Sequence, residues 1–93
     1  MEFEWDETKR LDNLKSHGLD FEDAHFVFND EAYVIEDIRR DYGEKRLILF
    51  GPLFGRLVVV VFTVRNDAIR IISMRKANQR EQNYYAQKRS ETN

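Results

Sequence analysis

The amino-acid sequence predicts an α+β fold: a short strand, two helices, an antiparallel meander of four strands and a C-terminal helix, with helices packed on one face of the sheet. Three observations carry this. At Tyr33 the spacing of apolar residues changes from a helical period to a period of two. Turn signals at 41–43, 51–55 and 66–67 cut the rest of the chain into strand-length pieces. Side chains that cap helices stand at Asp6, Asp20 and Asn78, each ahead of a helix-compatible stretch.

Each element follows from its residues. In Met1–Trp5, Phe3 and Trp5 alternate with Glu2 and Glu4, which predicts a short strand. Asp6 caps a helix that runs to about Ser16, and Gly18 stops it. Asp20 caps a second helix, whose apolar face holds Phe21, Ala24, His25 and Phe28 at i, i+3, i+4 and i+7. Tyr33–Arg39 is a strand, Asp41-Tyr42-Gly43 a turn and Glu44–Phe50 the next strand. Gly51-Pro52-Leu53-Phe54-Gly55 reads as a loop. Leu57–Arg65, with four consecutive valines, and Ala68–Lys76 are strands joined by a two-residue turn at Asn66-Asp67. Asn78 and Glu81 form a capping-box pattern at the start of the last helix, which Tyr84 and Tyr85 anchor.

The predicted hairpins sort side chains onto two faces. A two-residue turn at 66–67 sets residue 65 opposite 68, 63 opposite 70, 61 opposite 72 and 59 opposite 74. Val58, Val60, Phe62, Val64, Ile69 and Ile71 then share an apolar face with the helices, and Arg75 falls at the end of that face. Val59, Val61, Thr63, Arg65, Arg70, Ile72 and Met74 share the other, open face. Setting 51 opposite 56 adds Glu44 and Arg46 to that open face. A one-residue slip would bury both charges, at a cost that argues against it. Arg46, Arg65 and Arg70 thus converge with Glu44 and Thr63. Such a cluster suits a phosphate, because guanidinium stays charged and offers a fork of donors. It equally suits a salt-bridged sheet surface, and the residues alone leave the two readings level.

Composition narrows the class. The 93 residues suffice for one domain, 1–93, and for a modest core. No cysteine is present, which excludes disulfides and thiolate metal sites. No apolar run approaches the roughly 20 residues of a membrane span, and the acidic start is unlike a signal peptide, so a cytoplasmic protein that does not engage a membrane is expected. The net charge of −2 hides a split: residues 1–43 carry thirteen acids and five Lys or Arg, a balance of −8, and residues 44–93 carry four and ten, a balance of +6. The basic half fits a polyanion, or else the halves pair with each other. No phosphate-cradling glycine loop, nucleophile elbow or metal-ligand spacing is present, so neither metal nor cofactor is expected. His17, at the end of the first helix, either complements the helix C-terminus or moves protons. Lys9 is solvated, paired with Asp6 or Asp12, or aimed at the sheet edge. Lys76 and Arg80 extend the basic surface.

Residues spread along the chain resemble the BrnT family of type II toxins. They begin with Phe3, Trp5, Asp6, Lys9, Asn13, His17-Gly18, Phe21 and Ala24. Gly43-Glu44, Arg46, Thr63 and Arg65 follow, then the most specific stretch, Ile69–Ala77, and finally Glu81 and Tyr85. Ser16 and Met74 depart from the family's usual Lys and Ala. The resemblance implies a RelE-like fold and a metal-independent endoribonuclease that inhibits translation. Arg46, Arg65 and Arg70 would hold the phosphate, and Glu44 or His17 would move protons. Lys9, Thr63, Arg75, Lys76 and Tyr85 would bind RNA. It also implies a BrnA-type ribbon-helix-helix antitoxin, a heterotetramer with it, and contact with promoter DNA through the antitoxin alone. The alternative is a non-catalytic binding module that acts as co-repressor, or an interaction domain with no toxin role.

Overall fold

The computed structural model describes residues 1–91. The element order is β1 (Glu2–Glu4), α1 (Glu7–His17), a 3-10 helix (Phe21–Val27), β2 (Tyr33–Asp37), β3 (Arg46–Leu53), β4 (Arg56–Arg65), β5 (Ala68–Lys76) and α2 (Gln79–Glu91). The class is α+β, as the sequence predicts. The five-stranded sheet has the order β1-β5-β4-β3-β2. Strands β2 to β5 form the antiparallel meander, and β1 pairs with β5 in parallel, over Glu2↔Ala68 to Glu4↔Arg70.

Local chemistry sets the helix ends. The Asp6 carboxylate accepts from the Lys9 backbone N–H, and Gly18, at φ 70°, ends α1 with its N–H on the Leu14 carbonyl. The second helix is a 3-10 helix, not the α-helix the spacing predicts. Its buried face is Phe21, Ala24 and Val27, a three-residue period, and His25 is exposed instead of lying in the apolar face. At α2 the predicted capping box forms: Asn78 Oδ1 accepts from the Glu81 N–H at 2.8 Å, and Glu81 Oε1 accepts from the Asn78 N–H at 2.9 Å.

The hairpins differ from expectation in two ways. Strand β3 begins at Arg46, leaving Glu44 in the preceding loop, and continues through Pro52 to Leu53. The tight turn is Phe54-Gly55, both at positive φ, so Leu47 pairs with Phe62. Pro52 is tolerated because β2 stops pairing at Phe50 and leaves an outer edge there. The pairing slides by two residues from that predicted, so each side chain keeps its face. The Asn66-Asp67 turn forms with both residues at positive φ, and Arg65↔Ala68 to Phe62↔Ile71 pair as predicted. Beyond them Val61 pairs with Ser73, which leaves Ile72 as the extra residue of a β-bulge. Met74 therefore moves from the open face into the core opposite Val60, and Arg75 moves to the other face opposite Val59. Val64, expected inside, is half-exposed.

Two clusters hold the sheet. On one face, Phe21, Ala24 and Val27 pack on Leu49, Val58, Val60, Phe62, Ile69, Ile71 and Met74. Each fully buried side chain of this size contributes about 1.5–3 kcal/mol. On the other face, α2 brings Ala77, Tyr84 and Tyr85 onto Phe50, Val59, Tyr33 and Ile35. So α2 does not share a face with the 3-10 helix.

Two buried polar side chains complete the frame. Beyond the three residues paired with β1, the edge of β5 lies against α1. There Asn13 Oδ1 accepts from the Met74 N–H at 3.1 Å, and its Nδ2 donates to the Leu19 carbonyl at 3.1 Å. Asp37, at the end of β2, is 5% exposed. It accepts from the Arg39 backbone and guanidinium at 2.8–3.2 Å and from the Tyr42 hydroxyl at 2.9 Å. These bonds fix the loop 38–45. The Arg39 guanidinium, helped by the Tyr42 hydroxyl, holds the Asp37 carboxyl well below the usual carboxylate range.

Asn13→Ala leaves a strand N–H and a carbonyl unmet, and is expected to cost about 1–3 kcal/mol in urea unfolding. A loss within about 0.5 kcal/mol contradicts the bridging role. Because its folded pKa is depressed, Asp37 contributes stability that is complete well above its unfolded value of 3.8 and is lost as the pH falls through the lower folded value. The stability gap between wild type and Asp37→Asn should therefore be narrower at about pH 3 than at about pH 7. Equal gaps at both pH values contradict the pairing.

Candidate functional site

Strand pairing builds a cluster of arginines on the face opposite the core. Thr63 pairs with Arg70 across β4 and β5, and Leu47↔Phe62 places Arg46 beside Thr63 on β3. Arg65 follows two residues on. At this end of the sheet α2 does not cover the face, and α1 lines its border. The result is a cavity of about 150 Å³ bounded by Asp6 and Lys9 of the α1 N-terminus, Glu44 of the loop, and Arg46, Arg65 and Arg70, with Ile71 and Ile72 completing its lining.

Carboxylates hold the guanidinium groups. Arg65 Nη2 donates to Glu44 Oε1 at 2.6 Å, and Arg46 Nε to Glu44 Oε2 at 3.4 Å. Arg70 Nη1 donates to Glu4 Oε2 at 2.8 Å. Arg65 first, then Arg46, lowers the Glu44 pKa, so Glu44 is a carboxylate at neutral pH. The Arg46 guanidinium also lies 4.2 Å from the centre of the Tyr42 ring. Arg46 and Arg70 remain 26% and 27% exposed and Arg65 50%, so each can reach a ligand entering the cavity.

The other sequence candidates separate. Thr63 is buried, and its hydroxyl donates to the Lys45 carbonyl at 2.7 Å, which ties the loop to β4. His17 lies outside the arginine cavity. It lines a neighbouring groove of about 270 Å³ with Asp12, Asn13 and Ser16, and Lys9 and Ile72 line both spaces. Arg75, Lys76 and Tyr85 lie toward the far end of the sheet, roughly 15 Å along the strand from Arg70. There Arg75 grips Glu81 with two bonds of 2.7 Å, and the Tyr85 hydroxyl donates to the Glu31 carbonyl at 2.6 Å.

Sequence reasoning missed Glu4, Asp6, Asp37 and Tyr42 as parts of this site. Glu4 had a usable signal, because its alternation with Phe3 and Trp5 sets it opposite the core. Its partner Arg70 is 66 residues away, and nothing local announces a parallel pairing. Asp37 continues the alternation of Tyr33 and Ile35 and is the polar end of that series. Tyr42 carries no signal, since a tyrosine in a turn is ordinary.

The cavity thus gathers four cationic side chains, Lys9, Arg46, Arg65 and Arg70, and two carboxylates, Asp6 and Glu44, around a small space. Among the described residues, no three His, Asp or Glu side chains gather as a metal ion requires. Among them, too, no helix is long and apolar enough to cross a membrane.

No curated protein matches the chain. One family model does, that of the "Ribonuclease toxin, BrnT, of type II toxin-antitoxin system", over residues 5–81. The match takes in α1, the 3-10 helix, the four meander strands and the start of α2, and with them Lys9, His17, Glu44, Arg46, Arg65 and Arg70. The cavity-lining residues all fall within this match, and the chain belongs to the BrnT family of ribonuclease toxins of type II toxin-antitoxin systems.

Proposed function

We propose that this chain is an endoribonuclease that cuts RNA without a metal, with the scissile phosphate seated in the cavity of Arg46, Arg65 and Arg70. The observation that carries this reading is the convergence of three guanidinium groups from three strands, and Lys9 from α1, on one small cavity. The substrate's 2′-oxygen attacks the adjacent phosphorus and the bond from phosphorus to the 5′-oxygen breaks. The products are a 2′,3′-cyclic phosphate and a 5′-hydroxyl. Glu44, ionised and inside the cavity, is placed to take the 2′-proton. His17, one groove away across Lys9, is the second group able to exchange protons, with the leaving 5′-oxygen. The arginines meet the charge that grows on the phosphoryl oxygens, replacing their bonds to Glu44 and Glu4. Lys9, Arg75, Lys76 and Tyr85 extend RNA contact beyond the cavity, and Thr63 acts through the loop it ties.

As a type II toxin the chain has an antitoxin partner. We place it with a ribbon-helix-helix antitoxin, in a heterotetramer built on the antitoxin dimer, where promoter DNA is touched by the antitoxin. Free of that partner, cleavage blocks translation.

The purified chain should cleave RNA in EDTA, and Arg65→Ala should lower the rate by about 100-fold or more while remaining folded. Equal cleavage by both proteins places the site elsewhere. No cleavage by either, repeated in a translating extract, leaves the co-repressor role. In cells, expression of the chain alone should arrest growth, and Arg46→Ala, Arg65→Ala and Arg70→Ala should each relieve the arrest. Persistent arrest in all three removes the arginine cavity from the mechanism.

A further inference from the structure

We infer that Tyr42 is a positioning residue of this site: held from behind by Asp37, its ring directs the Arg46 guanidinium into the cavity. This role rests on the reading of the cavity as a phosphate site.

The register of the sheet poses the problem that Tyr42 solves. Arg46 and Asp37 are directly opposed partners on β3 and β2 and share a face. Opposed residues of opposite charge ordinarily pair. A paired Arg46 would turn toward β2 and away from Arg65 and Arg70. Asp37 is instead occupied. One oxygen accepts from the Arg39 backbone and Nε, and the other from Arg39 Nη2 and the Tyr42 hydroxyl. Arg46 is left to find other contacts.

Of those contacts, the aromatic one is the better formed. The Arg46 bond to Glu44 is 3.4 Å, long for a charged pair, and Glu44 is engaged more closely by Arg65 at 2.6 Å. The Tyr42 ring centre lies 4.2 Å from the Arg46 guanidinium carbon, well inside cation–π range. A guanidinium on an aromatic face keeps its edge donors free. Arg46 can thus be held in place and still offer N–H groups to a phosphate, which a second carboxylate would not allow.

The loop is built to bring this about. Its anchor at Asp37 is buried. After Tyr42 the chain reverses at Gly43, at φ 73°, with the Gly43 N–H donating to Asp41 Oδ1 at 2.8 Å. The reversal returns Glu44 to the cavity. Thr63 then pins the next residue through the Lys45 carbonyl. Tyr42 and Glu44 so reach Arg46 from one short, tied loop.

The test compares wild type, Tyr42→Leu and Tyr42→Phe in steady-state RNA cleavage, beside the NMR signal of the Arg46 Nε–H group. Wild type should show this signal displaced by the aromatic ring current. Tyr42→Leu should return it to an ordinary position and lower kcat on the order of tenfold, with KM changed less than about threefold. Tyr42→Phe keeps the ring and should retain kcat within about threefold, with the displaced signal. A merely structural role moves neither the Arg46 signal nor the Leu-to-Phe contrast at equal melting temperature. An undisplaced Arg46 signal in wild type overturns the inference, even if Tyr42→Leu fails to fold. So does a Tyr42→Leu enzyme of unchanged kcat. If wild type cleaves no RNA, the phosphate-site reading fails by itself. The Arg46 signal, followed through a titration with inorganic phosphate, then decides the positioning role: equal affinity in wild type and Tyr42→Leu overturns it.

Discussion

The alternation of side chains along β5 is broken once, at Ile72, and both faces of the sheet depend on that break. In a regular strand Ile71 and Met74, three residues apart, lie on opposite faces, as do Arg70 and Arg75. The bulge puts Ile69, Ile71 and Met74 together in the core and leaves both arginines on the far side. The disturbed stretch lies against α1 beyond the reach of β1, and Asn13 supplies an acceptor for the Met74 N–H. Helix α1 is thereby fixed along β5. From that position Lys9 borders the cavity and His17 the groove beside it. The burial of Met74 and the turn of Arg75 to the far face both follow from one extra residue, while Arg65 and Arg70 sit on the regular stretch before it.

The same economy appears in the charges. Arg10 pairs with Asp20 and Arg39 with Asp37 inside the acidic half of the chain. Arg65 and Arg46 pair with Glu44, and Arg75 with Glu81, inside the basic half. The Glu4–Arg70 pair joins the two. At the cavity Arg46 and Arg65 are thus paired within their own half, and Arg70 is paired from the acidic one. Their carboxylate partners are not merely neutralising. They also restrict long, flexible side chains around the cavity, which would lower the ordering cost of any ligand that bound there.

Much of this was legible in the residues. Asp6, Gly18 and Asp20 announce helix ends because a cap is a contact between near neighbours. Asn66-Asp67 announces its hairpin for the same reason. The arginine cluster was legible because the face of a strand residue survives a slip of two, so Arg46 and Arg65 stay together although β3 runs on past the predicted loop. Where reading failed, the deciding partner was remote. Pro52 belongs to a strand only because β2 ends early. Met74 is buried only because of a bulge that no residue of β5 advertises.

By itself the sequence determined the class of fold, the order of its elements and the face that carries the arginines, since each rests on periodicity, caps and turns within a few residues; the family it determined through matching residues spread along the chain. Only the tertiary structure decided which of the candidates meet. It brought Glu4 to Arg70 across 66 residues, took Arg75 and Tyr85 to α2 at the far end of the sheet, and set His17 one groove from the cavity. It also set Tyr42 beneath Arg46 by occupying Asp37 with Arg39. Those outcomes turn on register, on a single bulge and on which of two competing partners a charge finds, and these are settled by packing the whole chain at once.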